Sequence, residues 1–185
     1  MAGEGTGKDT AIVSTRDYDT TMDGYLTNIC CLRNMGDVVR NRESAADAKA
    51  WVVNSMIFNA VFEQDVDLIK TIITRVDGTV PEEGKRGGYA NILGDALDDV
   101  LSYSEREALV ITPEDPVIIA IAKVLIYTAA RPAGNNYMQR KQRNLASSII
   151  LERTGGRKIS PTKPMLETRY VEPEWMGLPD GDGRE

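Results

Sequence analysis

A long apolar run from Pro116 to Ala130 constrains the fold of this 185-residue chain more than any other feature. Lys123 is the one charged residue in the run. The run is longer than a typical strand of about 5 or 6 residues and shorter than the roughly 20 residues that cross a bilayer as a helix. We therefore expect a helix that is buried in a core or in a subunit contact, and no membrane partner.

Most of the remaining chain repeats the spacing of an amphipathic helix, with apolar residues three or four positions apart. The strongest pattern begins at Ser44, and Asp47 three residues later completes a loose capping box. Sustained strand-like alternation is absent. The sequence predicts an all-α protein, a helical bundle or set of hairpins, with helices over Tyr25–Val39, Ser44–Glu63, Asp65 or Asp67 to Gly78, Tyr89–Tyr103, Pro116–Ala130 and Tyr137–Thr154.

Changes in composition divide the chain into three parts. Residues 1–21 are polar and contain several glycines, which predicts a flexible N-terminal arm. Residues 22–156 hold the helical patterns and predict an all-α core that is also the oligomerisation domain. Residues 157–185 contain four prolines and predict an extended C-terminal tail, whose Tyr170 and Trp175 could dock on the body or on a neighbouring subunit. We expect no signal peptide, because no charged start followed by an apolar stretch and a small-residue cleavage site is found.

The chain lacks histidine, the commonest metal ligand and general base. Its two adjacent cysteines, Cys30 and Cys31, are too few for a zinc site, and we expect both to be reduced, because a disulfide between neighbours is strained. The acidic residues Asp95, Asp98 and Asp99 could hold Mg²⁺, but their spacing favours a solvated helix face. The sequence predicts a protein that is not an enzyme, with no catalytic residue, no cofactor and no metal.

Positive charge is concentrated in one segment of an otherwise acidic chain. Between Arg131 and Lys163 there are eight cations and one acid, a net charge of +7, whereas the whole chain carries −6. Surfaces normally mix both signs, because like charges repel one another. A concentration of positive charge is typical of a protein that binds a polyanion, and DNA or RNA phosphate is the first candidate.

The helix expected over Tyr137–Thr154 places Arg140 and Arg143 on one face, with Lys141 beside them. Neutral donors suited to phosphate or base edges are Gln139, Gln142 and Asn144. The predicted nucleic-acid-binding residues are Arg140, Lys141, Arg143, Arg157, Lys158 and Lys163. In a competing interpretation, these cations pair with the acidic helix around Asp95–Asp99 or with the acidic connector Glu105–Glu107 of a neighbouring subunit.

Two tracts that end in glycine and proline resemble a known family. Thr71–Pro81 (TIITRVDGTVP) resembles an element of small terminase subunits of tailed bacteriophages, in which a helix is followed by Arg, x, Asp or Glu, Gly, Lys or Thr, x and Pro. Ile150–Pro164 (ILERTGGRKISPTKP) is similar to the small terminases of short-tailed, N4-like phages. The tracts also echo each other, which two ordinary helix C-termini explain equally well.

This resemblance implies a non-catalytic DNA-packaging protein. Such proteins form homo-oligomeric rings, bind double-stranded viral DNA and regulate the large terminase subunit in the cytoplasm of the infected host cell. We expect a ring to form through the helices Ser44–Glu63 and Pro116–Ala130. The family often has an N-terminal helix-turn-helix, whereas the cations here lie late in the chain. The alternative is a phage structural or connector protein that uses its tail and basic helix for subunit contacts.

Overall fold

The computed structural model describes residues 21–45, 47–79, 92–104, 109–132, 134–159 and 168–169. Seven α-helices and two strands of two residues each lie within these ranges. The helices are α1 (Met22–Leu32), α2 (Met35–Glu43), α3 (Ala48–Phe62), α4 (Val66–Thr79), α5 (Ile92–Ser104), α6 (Val117–Ala130) and α7 (Tyr137–Arg153), and the strands are β1 (Leu109–Val110) and β2 (Thr168–Arg169). The predicted helical character of the chain is confirmed.

Helix α6 forms the centre of the fold, as its apolar sequence predicts. It packs against α1, α3, α5 and α7, and most of its side chains are buried. The apolar residues of the other helices converge on it in one core cluster. Burial of α6 is thus achieved by packing within one chain, and the surface expected to contact another subunit is covered by the other helices.

The single cation of α6, Lys123, is held inside the core by two oxygen atoms. Its Nζ lies 2.7 Å from Asp115 Oδ2 and 2.7 Å from the carbonyl oxygen of Val110. The same carboxylate oxygen accepts from the backbone N–H of Thr112 at 2.8 Å. A buried ammonium group needs such partners, because its desolvation is costly. These contacts fix the segment 109–116 against α6.

The prediction of one helix over Tyr25–Val39 is wrong, because the chain forms two helices there, α1 and α2. Asn34 lies between them and caps α2 in a capping box with Asp37. Its backbone also pairs with Pro116, and the first two N–H groups of α2 donate to backbone carbonyls of the segment 109–116. A distant segment therefore stabilises the break between α1 and α2.

The predicted start of the third helix at Ser44 is also wrong. Ser44 ends α2, and its hydroxyl donates to the carbonyl oxygen of Arg40 at 2.7 Å. The N-cap of α3 is Asp47, whose Oδ1 accepts from the N–H of Ala50 at 2.7 Å. Serine and aspartate are both favourable N-cap residues, so the position where α2 ends decides which of them is used.

Strand β2 belongs to the predicted C-terminal tail. It pairs in parallel with β1, so that Thr168 lies opposite Leu109 and Arg169 lies opposite Val110. Leu109 is itself buried in the core cluster. The described part of the tail therefore contacts the body of its own chain. The division into arm, core and tail stays a prediction, since residues 1–20 and most of 157–185 lie outside the described residues.

Candidate nucleic-acid interface

Helix α7 carries the central residues of the predicted basic site. It begins after Asn136, whose Oδ1 accepts from the N–H of Met138 at 2.9 Å, and none of its 17 residues is glycine or proline. Ala146, Ile149 and Ile150 are buried and belong to the core cluster. Because one side of α7 is fixed to the core in this way, the opposite side faces solvent.

The solvent-facing side of α7 contains no acid before its last turn. Tyr137, Arg140, Asn144 and Ser147 follow one another at intervals of three or four residues, and all are exposed. Such intervals place side chains on one face of a helix. We define the α7 basic face by Tyr137, Arg140, Lys141, Arg143 and Asn144.

The three cations of the α7 basic face differ in their contacts. Arg140 is exposed and makes no ion pair with a residue that the structure describes. Arg143 is half-buried and donates to Asn144 Oδ1 at 3.4 Å. Lys141 pairs with Asp67 of α4, with 3.0 Å between Nζ and Oδ2. Among the described residues, Lys141 is therefore the cation of this face that has an acidic partner.

Farther along the basic segment, positive charges are neutralised within the chain. Arg153 pairs with Asp77 near the end of α4. This ion pair connects the two similar tracts, Thr71–Pro81 and Ile150–Pro164. Arg157 Nη1 lies 3.1 Å from Asp98 Oδ1 on α5. The acidic helix around Asp95–Asp99, which the competing interpretation placed in a neighbouring subunit, thus provides a partner in the same chain. The connector Glu105–Glu107 lies outside the described residues.

The structure separates the predicted nucleic-acid-binding residues into two groups. Arg140, Lys141 and Arg143 lie together on α7. Arg157 and Lys158 are exposed beyond its C-terminal end, and Lys163 lies outside the described residues. The predicted residues that lie together on one helix are therefore the three cations of the α7 basic face.

The amide of Gln142, predicted as a donor to phosphate, is engaged at the start of α4. Its Oε1 accepts from the N–H of Val66 at 2.9 Å, and its Nε2 donates to Asp67 Oδ2 at 2.6 Å. Asp65 completes the cap, because its Oδ1 accepts from the N–H of Leu68 at 3.0 Å. Gln142 therefore holds α7 against α4 and keeps the α7 basic face in a fixed orientation.

Sequence reasoning missed the exposed residues at the start of α7. Tyr137 and Met138 are 70% and 53% exposed. Tyr137 stands three residues before Arg140 and four before Lys141, and this helical spacing could have identified it. Tyrosine hydroxyls are among the groups that hydrogen-bond to phosphate and sugar, so Tyr137 extends the α7 basic face toward its N-terminus.

One negative charge lies at the edge of this face. The hydrogen bond from Lys141 is the main cause that lowers the pKa of Asp67 below its ordinary value; burial acts in the opposite direction, and the hydrogen bond from the Gln142 amide adds to the lowering. The carboxylate form is therefore favoured. Any anion that approaches Lys141 has to compete with Asp67.

Other candidate groups offer less for binding. Within the described ranges, no three His, Cys, Asp or Glu side chains are grouped as a metal site. The aspartates of α5 are exposed. Both cysteines are free, and burial raises the pKa of Cys31 to about 11 and that of Cys30 as well. A raised pKa disfavours the reactive thiolate. The described arrangement can bind an anion by charge and hydrogen bonds.

No helix in the described part of the chain is long and apolar enough to cross a membrane. Comparison of the chain with protein-family models, with curated proteins and with solved structures gives no match. The resemblance to small terminase subunits therefore stays a prediction that rests on the two sequence tracts.

Proposed function

We propose that this protein is a non-catalytic DNA-binding protein that holds double-stranded DNA on the α7 basic face. The observation that carries this proposal is the solvent-facing side of α7, where cations and polar side chains run from Tyr137 to Ser147 without an acid. Because the whole chain carries a net charge of −6, this local concentration of positive charge is unusual for the molecule, and it attracts polyanions.

The residue types along α7 are suited to phosphate contacts. Arginine and lysine bind phosphate oxygens by charge, and serine, asparagine and tyrosine add hydrogen bonds to them. All of these residue types occur along α7, which at about 1.5 Å per residue is roughly 25 Å long. Such contacts position DNA without discriminating its sequence, so binding should weaken steeply as salt is added.

The biological role within this proposal comes from the resemblance to small terminase subunits. On that basis the protein packages viral DNA, acts in the cytoplasm of the infected host cell and regulates a large terminase subunit. It would do so as a homo-oligomeric ring. The large subunit would supply the ATPase and nuclease activities, and this chain would supply DNA contact and assembly.

The test compares two double variants that each remove two positive charges. Arg140→Ala with Arg143→Ala changes the α7 basic face, whereas Arg33→Ala with Arg40→Ala changes exposed arginines around α1 and α2. Affinity for a short labelled duplex is measured by fluorescence anisotropy across salt concentrations. Each lost phosphate contact should flatten the slope of log K against log salt by about 0.9.

We expect the α7 variant to bind DNA more weakly and with a slope flatter by about 1.8, from two contacts. The α1–α2 variant should behave like the parent. If the α1–α2 variant lost affinity instead, DNA contact would lie near the N-terminus, where the terminase family often has its helix-turn-helix. If both variants bound like the parent, the α7 basic face would not be the DNA site.

A second candidate function has its own supporting observation. Lys141, Arg153 and Arg157 all pair with acids of the same chain, which makes these three cations less available to DNA phosphate. The protein would then be a phage structural or connector component that uses its tail and basic helix for subunit contacts. Native mass measurement of the protein mixed with DNA at low and high salt distinguishes the two roles. Oligomers that are stable in both conditions and bind DNA in neither would support the structural role.

A further inference from the structure

The contact between Lys141 and Asp67 is the one place where the α7 basic face meets an acid among the described residues. The ammonium lies 3.0 Å from Asp67 Oδ2, and 46% of the Lys141 side chain and 45% of the Asp67 side chain are exposed. Exposed ion pairs of this kind are weak, because water and salt screen both charges. The pair can therefore open without disturbing the core.

Asp67 keeps favourable contacts when Lys141 leaves it. The carboxylate stands in the first turn of α4, where the helix dipole favours negative charge. The amide of Gln142 donates to the same oxygen at 2.6 Å. Lys141, in contrast, has a long flexible side chain that can turn from the carboxylate to a phosphate on the outer side of α7.

We propose that Asp67 is a built-in competitor for DNA phosphate, which holds Lys141 in the free protein and lowers the affinity of the α7 basic face. This inference rests on the proposed DNA-binding function. DNA binding transfers Lys141 from the Asp67 carboxylate to a phosphate, and Asp67 remains with Gln142 and the start of α4. A packaging protein that must let its DNA move would gain from such a weakened contact.

The test is Asp67→Asn, which removes the charge and keeps an acceptor oxygen for Gln142. The matched control is Asp23→Asn. Asp23 also lies in the first turn of its helix, α1, and pairs with Arg75 at 2.9 Å with side chains 43% and 50% exposed. Both variants change the net charge by the same amount, so a difference between them reports on position.

We expect Asp67→Asn to bind a short duplex about two- to fivefold more tightly than Asp23→Asn does. This factor is the strength of an exposed ion pair converted to a ratio of equilibrium constants. In a Lys141→Met background the same change should have little effect, because no ammonium is left to release. Thermal unfolding by circular dichroism checks that both variants keep the fold.

Three outcomes are distinguishable. If the parent protein showed no salt-dependent DNA binding, the proposed function itself would be refuted. A parent that binds DNA, with equal affinities for the two aspartate variants, would leave the function standing and overturn the competitor role of Asp67. A gain that persists undiminished in the Lys141→Met background would also overturn it, since the effect would then not pass through Lys141.

Discussion

The packing of Gly94 in α5 against the C-terminal end of α7 gives a prediction whose size follows from the structure. A Cβ atom placed on Gly94 would lie 2.9 Å from the carbonyl oxygen of Arg153, whereas ordinary contacts are 3.4 to 4 Å. An ordinary contact in Gly94→Ala therefore requires the two helix backbones to move apart by about 0.5 Å, the difference between 3.4 Å and 2.9 Å. Overpacking of this kind costs about 1–3 kcal/mol, against a gain of about 1 kcal/mol from replacing a helical glycine by alanine.

Gly78 in α4 provides the matched control, because a Cβ atom there meets no atom of the described residues within 4 Å. Gly78→Ala should keep the gain in helix propensity without the strain. We expect Gly94→Ala to be less stable than Gly78→Ala by about 1–3 kcal/mol, measured by urea unfolding with circular dichroism. Equal stabilities, or a more stable Gly94→Ala, would refute the close packing of α5 on the end of α7.

Two further predictions concern buried groups. Lys123→Met should lower the free energy of unfolding, measured in urea, by about 3–5 kcal/mol, because it leaves the Asp115 carboxylate and the Val110 carbonyl without their buried cation. The double variant with Asp115→Asn should lose less stability than the sum of the two single losses. Strict additivity would contradict the pairing. Cys31 should react with a thiol reagent near neutral pH about 100-fold more slowly in the native protein than in urea, because its pKa is raised to about 11 and the thiolate reacts. Cys30 should be slower still, and equal native and denatured rates would contradict the burial of Cys30 and the partial burial of Cys31.

The helical fold could be predicted from the sequence because its signals are local. The apolar composition of Pro116–Ala130 predicts that this helix is buried, and amphipathic spacing predicts most of the other helices. The break between α1 and α2 could not be predicted in this way. It depends on Asn34 meeting Pro116 and on helix N–H groups that donate to the segment 109–116, and neither contact is visible in a local window.

Counting charges in the sequence identifies the basic segment, but it does not show which of its cations pair with acids of the same chain. Lys141 and Asp67 are 74 residues apart in sequence, Arg153 and Asp77 are 76 apart, and Arg157 and Asp98 are 59 apart. Only the packing of α7 against α4 and α5 brings these partners together. The sequence therefore predicts the sign of the site, and the tertiary structure selects which cations remain for a ligand.

The central claim is that the α7 basic face holds DNA by phosphate contacts, and the salt dependence of DNA binding by the unaltered protein tests it most directly. Anisotropy titrations of a short labelled duplex between about 50 and about 200 mM salt give the slope of log K against log salt. Three contacts, from Arg140, Lys141 and Arg143, predict a slope of about −2.7 or steeper for each protomer in contact with DNA. A slope near zero, or no binding at the lower salt concentration, would contradict the account.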